Sequence, residues 1–304
     1  MTYSGPSLEQ LKQCLLDVEQ PLPKRTHAAF YLRTMGTEEA AQVISTALKD
    51  RRNGSLMRHE LAYILGQMQI HSISNTLISL LSDETEDVLV RHESGEALGA
   101  LGSLDYLPIL QQFVNHERPE IAETCQIAVD LIQYRHNNNS TNSAGLYLSV
   151  DPAPPMNDDT NNKSISDYKE ILLNPSLSLF DRYRAMFTLR DMNSDESALA
   201  LVEGFNDSSA LFRHEIAYVL GQMQRPVTVP GLSIVLNNLN EHEMVRHEAA
   251  ESLGSIGTLE CEEILNLYRD DNKQVVKESC LVALNTLDYW TTQPELQSAI
   301  AISE

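Results

Sequence analysis

Four His-Glu dipeptides stand in this sequence, His59-Glu60, His92-Glu93, His214-Glu215 and His247-Glu248, at spacings of 33, 122 and 33 residues. Imidazole and carboxylate are the donors that first-row transition metals accept. Two imidazoles and one carboxylate form the facial set that leaves positions on non-haem Fe(II) open for oxygen and substrate. Zinc accepts the same donors, and a hydrolytic zinc site needs only one such triad. The His-Glu-x-x-His pattern of metalloproteases is absent, because Tyr63 and Tyr218 stand in the fifth place.

A lone buried histidine is more often a satisfied core residue than a ligand. Here the column occupied by the histidines reads Thr26, His59, His92, Cys125 in one half, and its last three members read His214, His247, Cys280 in the other. Only the inner repeats carry His-Glu, so a packing role common to all repeats does not account for it. Adjacent helices of a solenoid lie roughly 10 Å apart. On that spacing His59, His92 and Glu93 can converge on one ion, and His214, His247 and Glu248 on a second. If the two halves face each other across a pseudo-two-fold, the ions meet at the axis, and a pair of irons bridged by oxygen species is expected. Glu60 and Glu215 stay open between ligand, anchor for a cationic substrate and exposed carboxylate. Tyr63, Tyr218, Gln67 and Gln222 read as packing or capping groups, Met68 and Met223 as core. His27, His71, His116, His136 and His242 read as surface or structural.

The elements that position these residues follow from a period of 33: Leu32, Leu65, Leu98 and Leu131 are 33 apart, as are Ala29, Ala62, Gly95 and Ala128. Each unit has room for two helices of about twelve residues with short turns. Pro6-Ser7-Leu8-Glu9 opens the first helix, and Asn53-Gly54, Gly66, Gly99-Ala100-Leu101-Gly102 and Pro119 are expected to punctuate turns. Ankyrin and tetratricopeptide signatures are missing, whereas Val245-Arg246-His247-Glu248-Ala249-Ala250-Glu251-Ser252-Leu253-Gly254 looks like the short HEAT-like class. The whole pattern recurs 155 residues later. The expected fold is an all-α solenoid of HEAT-like helical hairpins in two four-repeat arcs, 1–135 and 167–304. Between them, 136–166 is rich in Asn and Pro and reads as a flexible linker.

A net charge of −21, from 43 acidic and 22 basic residues, disfavours a nucleic-acid backbone and suits a basic partner. The four cysteines show no CxxC spacing, and no long apolar run follows Met1. A reducing, cytoplasmic location without signal peptide or membrane span is expected.

Arg58-His59-Glu60-Leu61-Ala62-Tyr63 with Leu65-Gly66-Gln67-Met68-Gln69, followed by Val90-Arg91-His92-Glu93 with Leu98-Gly99 and repeated as a second set, resembles the deoxyhypusine hydroxylase family. The likeness spans about Arg25 to Trp290. It implies a HEAT-repeat di-iron monooxygenase that uses O2 to hydroxylate the deoxyhypusine side chain of translation initiation factor 5A, forming hypusine. It implies His59, His92 and Glu93 as ligands of one iron and His214, His247 and Glu248 of the other. By the same matching, Glu60, Glu215, Gly66, Gly221 and Met244 fall where the family holds the substrate, with Glu60 and Glu215 next to the chemistry. A monomer without nucleic-acid or membrane partners is expected. The rival readings from the residues alone are a non-catalytic HEAT scaffold, which would hold no iron, and a metal-dependent hydrolase, which would hold zinc.

Overall fold

The computed structural model describes residues 5–138, 147–156 and 163–292, and every regular element among them is a helix. The first half comprises α1 (Leu8–Leu16), α2 (Leu22–Met35), α3 (Glu38–Lys49), α4 (Gly54–Met68), α5 (Ser74–Ser82), α6 (Val88–Leu101), α7 (Leu107–Phe113) and α8 (Pro119–Asn138). The second comprises α9 (Ile165–Leu173), α10 (Leu179–Met192), α11 (Asp195–Val202), α12 (Ala210–Met223), α13 (Val229–Asn237), α14 (Glu243–Ile256), α15 (Leu259–Tyr268) and α16 (Gln274–Thr292). Helix pairs stack as the period predicts. Even-numbered helices form the inner row, each packed on the next, and odd-numbered helices back them.

The row closes on itself at both ends. Helix α8 packs against α10 and α12, and α16 packs against α2 and α4. The four helices that carry His-Glu, α4, α6, α12 and α14, therefore face one shared interior. Two apolar cores, one built mainly from each half, hold this arrangement.

Helix ends follow local chemistry. Ser7 caps α1 in a capping box with Gln10, where the sequence places the first helix start. Gly102, with φ 74°, ends α6 in the left-handed region as expected of a turn glycine. Gly66 and Gly99 do not mark turns; both lie within helices. A Cβ on Gly66 would fall 2.9 Å from Ala97 Cα, and one on Gly99 would fall 2.7 Å from Ala128 Cβ. Their job is to let neighbouring inner helices cross closely, and the turn residue after Gly66 is Gln69, itself left-handed at φ 55°.

The arginine before the dipeptide is structural. Arg58, Arg91 and Arg246 are buried, and each donates Nε–H to a carbonyl ten residues back, on Leu48, Leu81 and Leu236. Arg25 and Arg182 repeat the bond in the first unit of each half, to Leu15 and Leu172. A guanidinium thus ties the C-terminal end of five outer helices to the inner helix that follows; Arg213, before His214, instead bonds Glu241 and the Asp207 carbonyl. Arg246 also makes a two-pronged pair at 3.2 and 2.6 Å with Asp271, whose side chain is 4% exposed. Removing one partner of such a pair leaves an uncompensated buried charge, so Asp271→Ala is expected to lower unfolding free energy by about 3–5 kcal/mol. Denaturant titration checks this, and a loss comparable to that of an exposed pair would count against the clasp.

The expected flexible linker behaves differently where it is described. Residues 147–156 run through the molecule with Ala153 fully buried. Arg190, 1% exposed, clasps Asp151 at 2.8 and 2.9 Å, while Gln67 exchanges hydrogen bonds with the Val150 backbone at 3.1 and 2.7 Å. Those specific partners overcome the disorder that composition favours. The Asn-rich stretches on either side, 139–146 and 157–162, lie outside the described residues.

Candidate metal centre

Closure of the inner row brings all four histidines together. Ring centroids of His59, His92, His214 and His247 lie between 5.1 and 5.9 Å in five of their pairings. Each is at most 5% exposed. Carboxylates complete the cluster: Glu93 Oε2 is 3.3 Å from His59 Nε2 and 3.6 Å from His92 Nε2, and Glu248 Oε2 is 3.3 Å from His214 Nε2. Donor atoms of His214, His247 and Glu248 all lie within 4.8 Å of one another, as do those of His59, His92 and His214, and those of His92, Glu93 and Glu96.

Nε2 of every one of the four histidines is buried without a hydrogen-bond partner, as are Nδ1 of His214 and His247 and Oε1 of Glu215. Buried polar atoms are normally satisfied, and an orphaned group calls for an unseen partner. Four such imidazoles converging on one space fit metal ions. The electrostatics agree. Burial, then the neighbouring imidazoles, hold His92 and His214 well below the ordinary histidine range, and the same causes bring His247 down to about 3. They are neutral nitrogen donors. Burial resists protonation of His59, but the carboxylates of Glu60 and Glu93 outweigh it and hold its pKa well above the usual value. Burial and then repulsion by neighbouring carboxylates push the carboxyls of Glu96, Glu215 and Glu248 well up.

Tyr63 and Tyr218, read from sequence as packing groups, join the halves through a 2.8 Å hydroxyl–hydroxyl hydrogen bond. Gln222 extends this contact, donating to Tyr218 Oη at 3.0 Å and to Ser149 at 3.0 Å. Glu60 sits 3.2 Å from His59 Nδ1 and lines a cavity of about 620 Å³. The walls of that cavity include Thr26, His27, Phe30, Glu251 and Thr286. His27 is thus part of a cavity wall, beyond the surface or structural role read from sequence. Glu215 is 2% exposed and faces the opposite side, beside Glu96. Gly66 and Gly221 lie at helix crossings, a Cβ on Gly221 meeting Ser252 Oγ at 2.5 Å, and Met244 is fully buried. None of these three lines the cavity.

Sequence reasoning did not single out Glu96 and Glu251 as site acids. Both are drawn into the cluster, Glu251 lying 3.5 Å from His247 Nδ1. Their signal was present: each stands four residues after a second-repeat histidine, at the same 155-residue offset, which puts it on the histidine's helix face.

Comparison with known proteins supplies an independent finding. The family described as HEAT repeats matches residues 198–285, and that described as PBS lyase HEAT-like repeat matches residues 90–116. The chain is 45% identical to a Drosophila melanogaster deoxyhypusine hydroxylase over 301 residues, covering 99% of this chain and 98% of that protein. It is 45% identical to a Homo sapiens deoxyhypusine hydroxylase over 284 residues, covering 93% and 92%. A solved structure of the human deoxyhypusine hydroxylase in complex with glycerol superposes with a TM-score of 0.88, at 45% identity, over 92% of this chain and 96% of that one.

Proposed function

The chain belongs to the deoxyhypusine hydroxylase family and catalyses deoxyhypusine hydroxylation, and from that premise we propose that it does so with two iron ions and O2, on deoxyhypusine carried by translation initiation factor 5A. His59, His92 and Glu93 would hold one iron, and His214, His247 and Glu248 the other. The observation that carries the reading is the set of orphaned imidazole nitrogens aimed into one buried space. Bound there, an iron pair would supply the activation of O2 that a C–H hydroxylation requires.

The protein's own residues provide recognition and exclusion. Deoxyhypusine is a long side chain with cationic amines. The Glu60 carboxylate, at the cavity wall beside His59, anchors such an amine and sets which methylene faces the metal centre. Phe30 and Leu56 give the same cavity apolar walls that strip water from the methylene chain. Glu215 mirrors Glu60 across the centre. Gly66, Gly221 and Met244 contribute by setting the spacing of the helices that carry these groups. The arcs 1–135 and 167–304 each contribute one triad, joined through 136–166. No helix among the described residues is long and apolar enough to cross a membrane. We place the protein in the cytoplasm as a monomer, its −21 charge steering it toward a basic loop on its substrate and away from nucleic acid.

Metal analysis of the purified protein should find two irons per chain, and hydroxylation should require both them and O2. Zinc in their place would favour a hydrolase, and no bound metal would favour a scaffold. Loading also has a proton signature. Burial favours the protonated form of Glu248, and Glu60 and Glu93 favour the protonated form of His59. Both must release protons to bind a cation, so affinity for iron is expected to strengthen as pH rises. Titration of stripped protein with Fe(II) in weak buffer reads this directly; uptake without acidification would refute it.

A further inference from the structure

The pseudo-two-fold ought to give the ring two equivalent entrances, yet they differ. The cavity of about 620 Å³ is lined by Glu251, Gly254, Ala283, Thr286 and Leu56. Their counterparts 155 residues away, Glu96, Gly99, Ala128, Leu131 and Leu211, line a space of about 10 Å³. Thr124, Ile127 and, from the segment between the halves, Pro152 complete that second lining.

Three substitutions of shape fill the second entrance. Leu131, 1% exposed, stands where the open side has Thr286. In the first inner helix of each half, α2 and α10, Arg25-Thr26-His27 answers Arg182-Tyr183-Arg184, so Tyr183, 1% exposed, stands where the open side has Thr26. Its hydroxyl donates to the backbone carbonyl of Leu211, a residue of that lining, at 3.4 Å. The third is the segment 151–156 itself. Arg184 donates to the carbonyls of Pro154 and Pro155 at 3.3 and 3.5 Å, Thr188 accepts from the Met156 amide at 2.8 Å, and Arg190 holds Asp151. Arg184 and Thr188, four residues apart, share one face of α10, and the equivalent positions on α2, His27 and Tyr31, line the open cavity.

We propose that residues 151–156 are an internal plug that, with Tyr183 and Leu131, shuts one of two pseudo-equivalent entrances, so that the substrate side chain reaches the metal centre only between α2, α4, α14 and α16. This rests on the functional reading above and deepens it. One-sided entry explains how a nearly symmetric centre acts on an asymmetric chain: the side chain arrives past Glu60 and Glu251, while Glu215 stays buried and Glu96 lines the filled space. It also leaves a single opening through which water can approach the metals.

The test transplants the closed side onto the open one. Thr26→Tyr with Thr286→Leu copies Tyr183 and Leu131 into the mouth; Thr286→Trp blocks it from a half-buried position. Each is measured for helix content by circular dichroism, for iron per chain, and for hydroxylation of the intact protein substrate. The expected result is full iron and helix content with hydroxylation slowed by about a hundredfold, the scale set when a reacting group is held about 1 Å out of place. Should the double variant not load iron, Thr286→Trp alone decides. An iron-loaded mouth variant that hydroxylates at the wild-type rate overturns the proposal. The companion variant Pro152→Gly with Ala153→Gly should keep hydroxylation but lose iron faster to a small chelator. Loss of hydroxylation in that variant with iron retained would show that 151–156 shapes the substrate site instead of closing an unused entrance, and would equally overturn it. Failure of the functional reading looks different, because the unmutated protein would then lack iron or fail to hydroxylate.

Discussion

Replacing His92 by alanine is expected to strip the first triad of iron and to end hydroxylation. His92 is fully buried; its Nε2 has no hydrogen-bond partner in the protein, and its Nδ1 lies 3.3 Å from Thr124 Oγ1, which orients the ring. No neighbouring side chain can take its place, because the two nearest nitrogen donors, on His59 and His214, are themselves members of the cluster. Loss even of a group that merely orients a ligand costs about 10–100-fold in metal affinity or activity, and loss of the ligand itself exceeds that. The effect should be read by iron analysis beside circular dichroism, so that an unfolded variant is not mistaken for an empty one. His247→Ala is the matched experiment in the other half. Full iron occupancy with normal turnover in either variant would remove these residues from the metal centre.

Glu60→Gln and Glu93→Gln are expected to fail in different ways. Both glutamates are neighbours of His59, at 3.2 and 3.3 Å from different ring nitrogens, but only Glu60 lines the cavity. Glutamine keeps the shape and hydrogen bonding of Glu60 and removes the charge that would meet a substrate amine. A hydrogen bond to a charged group contributes roughly 1.5–3 kcal/mol, so substrate binding should weaken about tenfold to a hundredfold. Iron should stay in place. Glu93→Gln should instead lose iron, because a neutral amide is a poor replacement for a carboxylate between two imidazoles. Measuring iron content and KM for both variants separates anchor from ligand. Iron lost from Glu60→Gln and retained by Glu93→Gln would reverse the two assignments.

Much of the site was legible because a duplicated repeat writes its chemistry several times. The 33-residue period placed His59 and His92 on equivalent faces of successive helices, and the 155-residue offset did the same for His214 and His247. A donor set that appears in the inner repeats and is replaced by Thr26, Cys125 and Cys280 in the outer ones points to a function rather than to packing. Helix identity was equally plain from periodic Leu and Ala. The glycines were harder: Gly66 and Gly99 look like turn residues, since Leu-Gly so often ends a helix, but backbone contact with the next helix uses the missing Cβ inside the helix instead.

The sequence by itself determined the repeat, the duplication and the candidate metal donors, because each depends on local spacing along a helix. Only the tertiary structure decided which faces of the duplicated halves are open. Composition reads 147–156 as loose chain, yet Arg190, Arg184 and Gln67 supply the buried partners that order it. These partners lie far away in sequence, at 30 to 83 residues, so no local pattern announces the contact. For the same reason Glu96 and Glu251, similar in sequence, end in different surroundings: Pro152 closes the space beside Glu96, and the equivalent space beside Glu251 remains a cavity. Local repetition makes the halves alike, and the single connecting segment, which cannot be duplicated within one chain, makes them different.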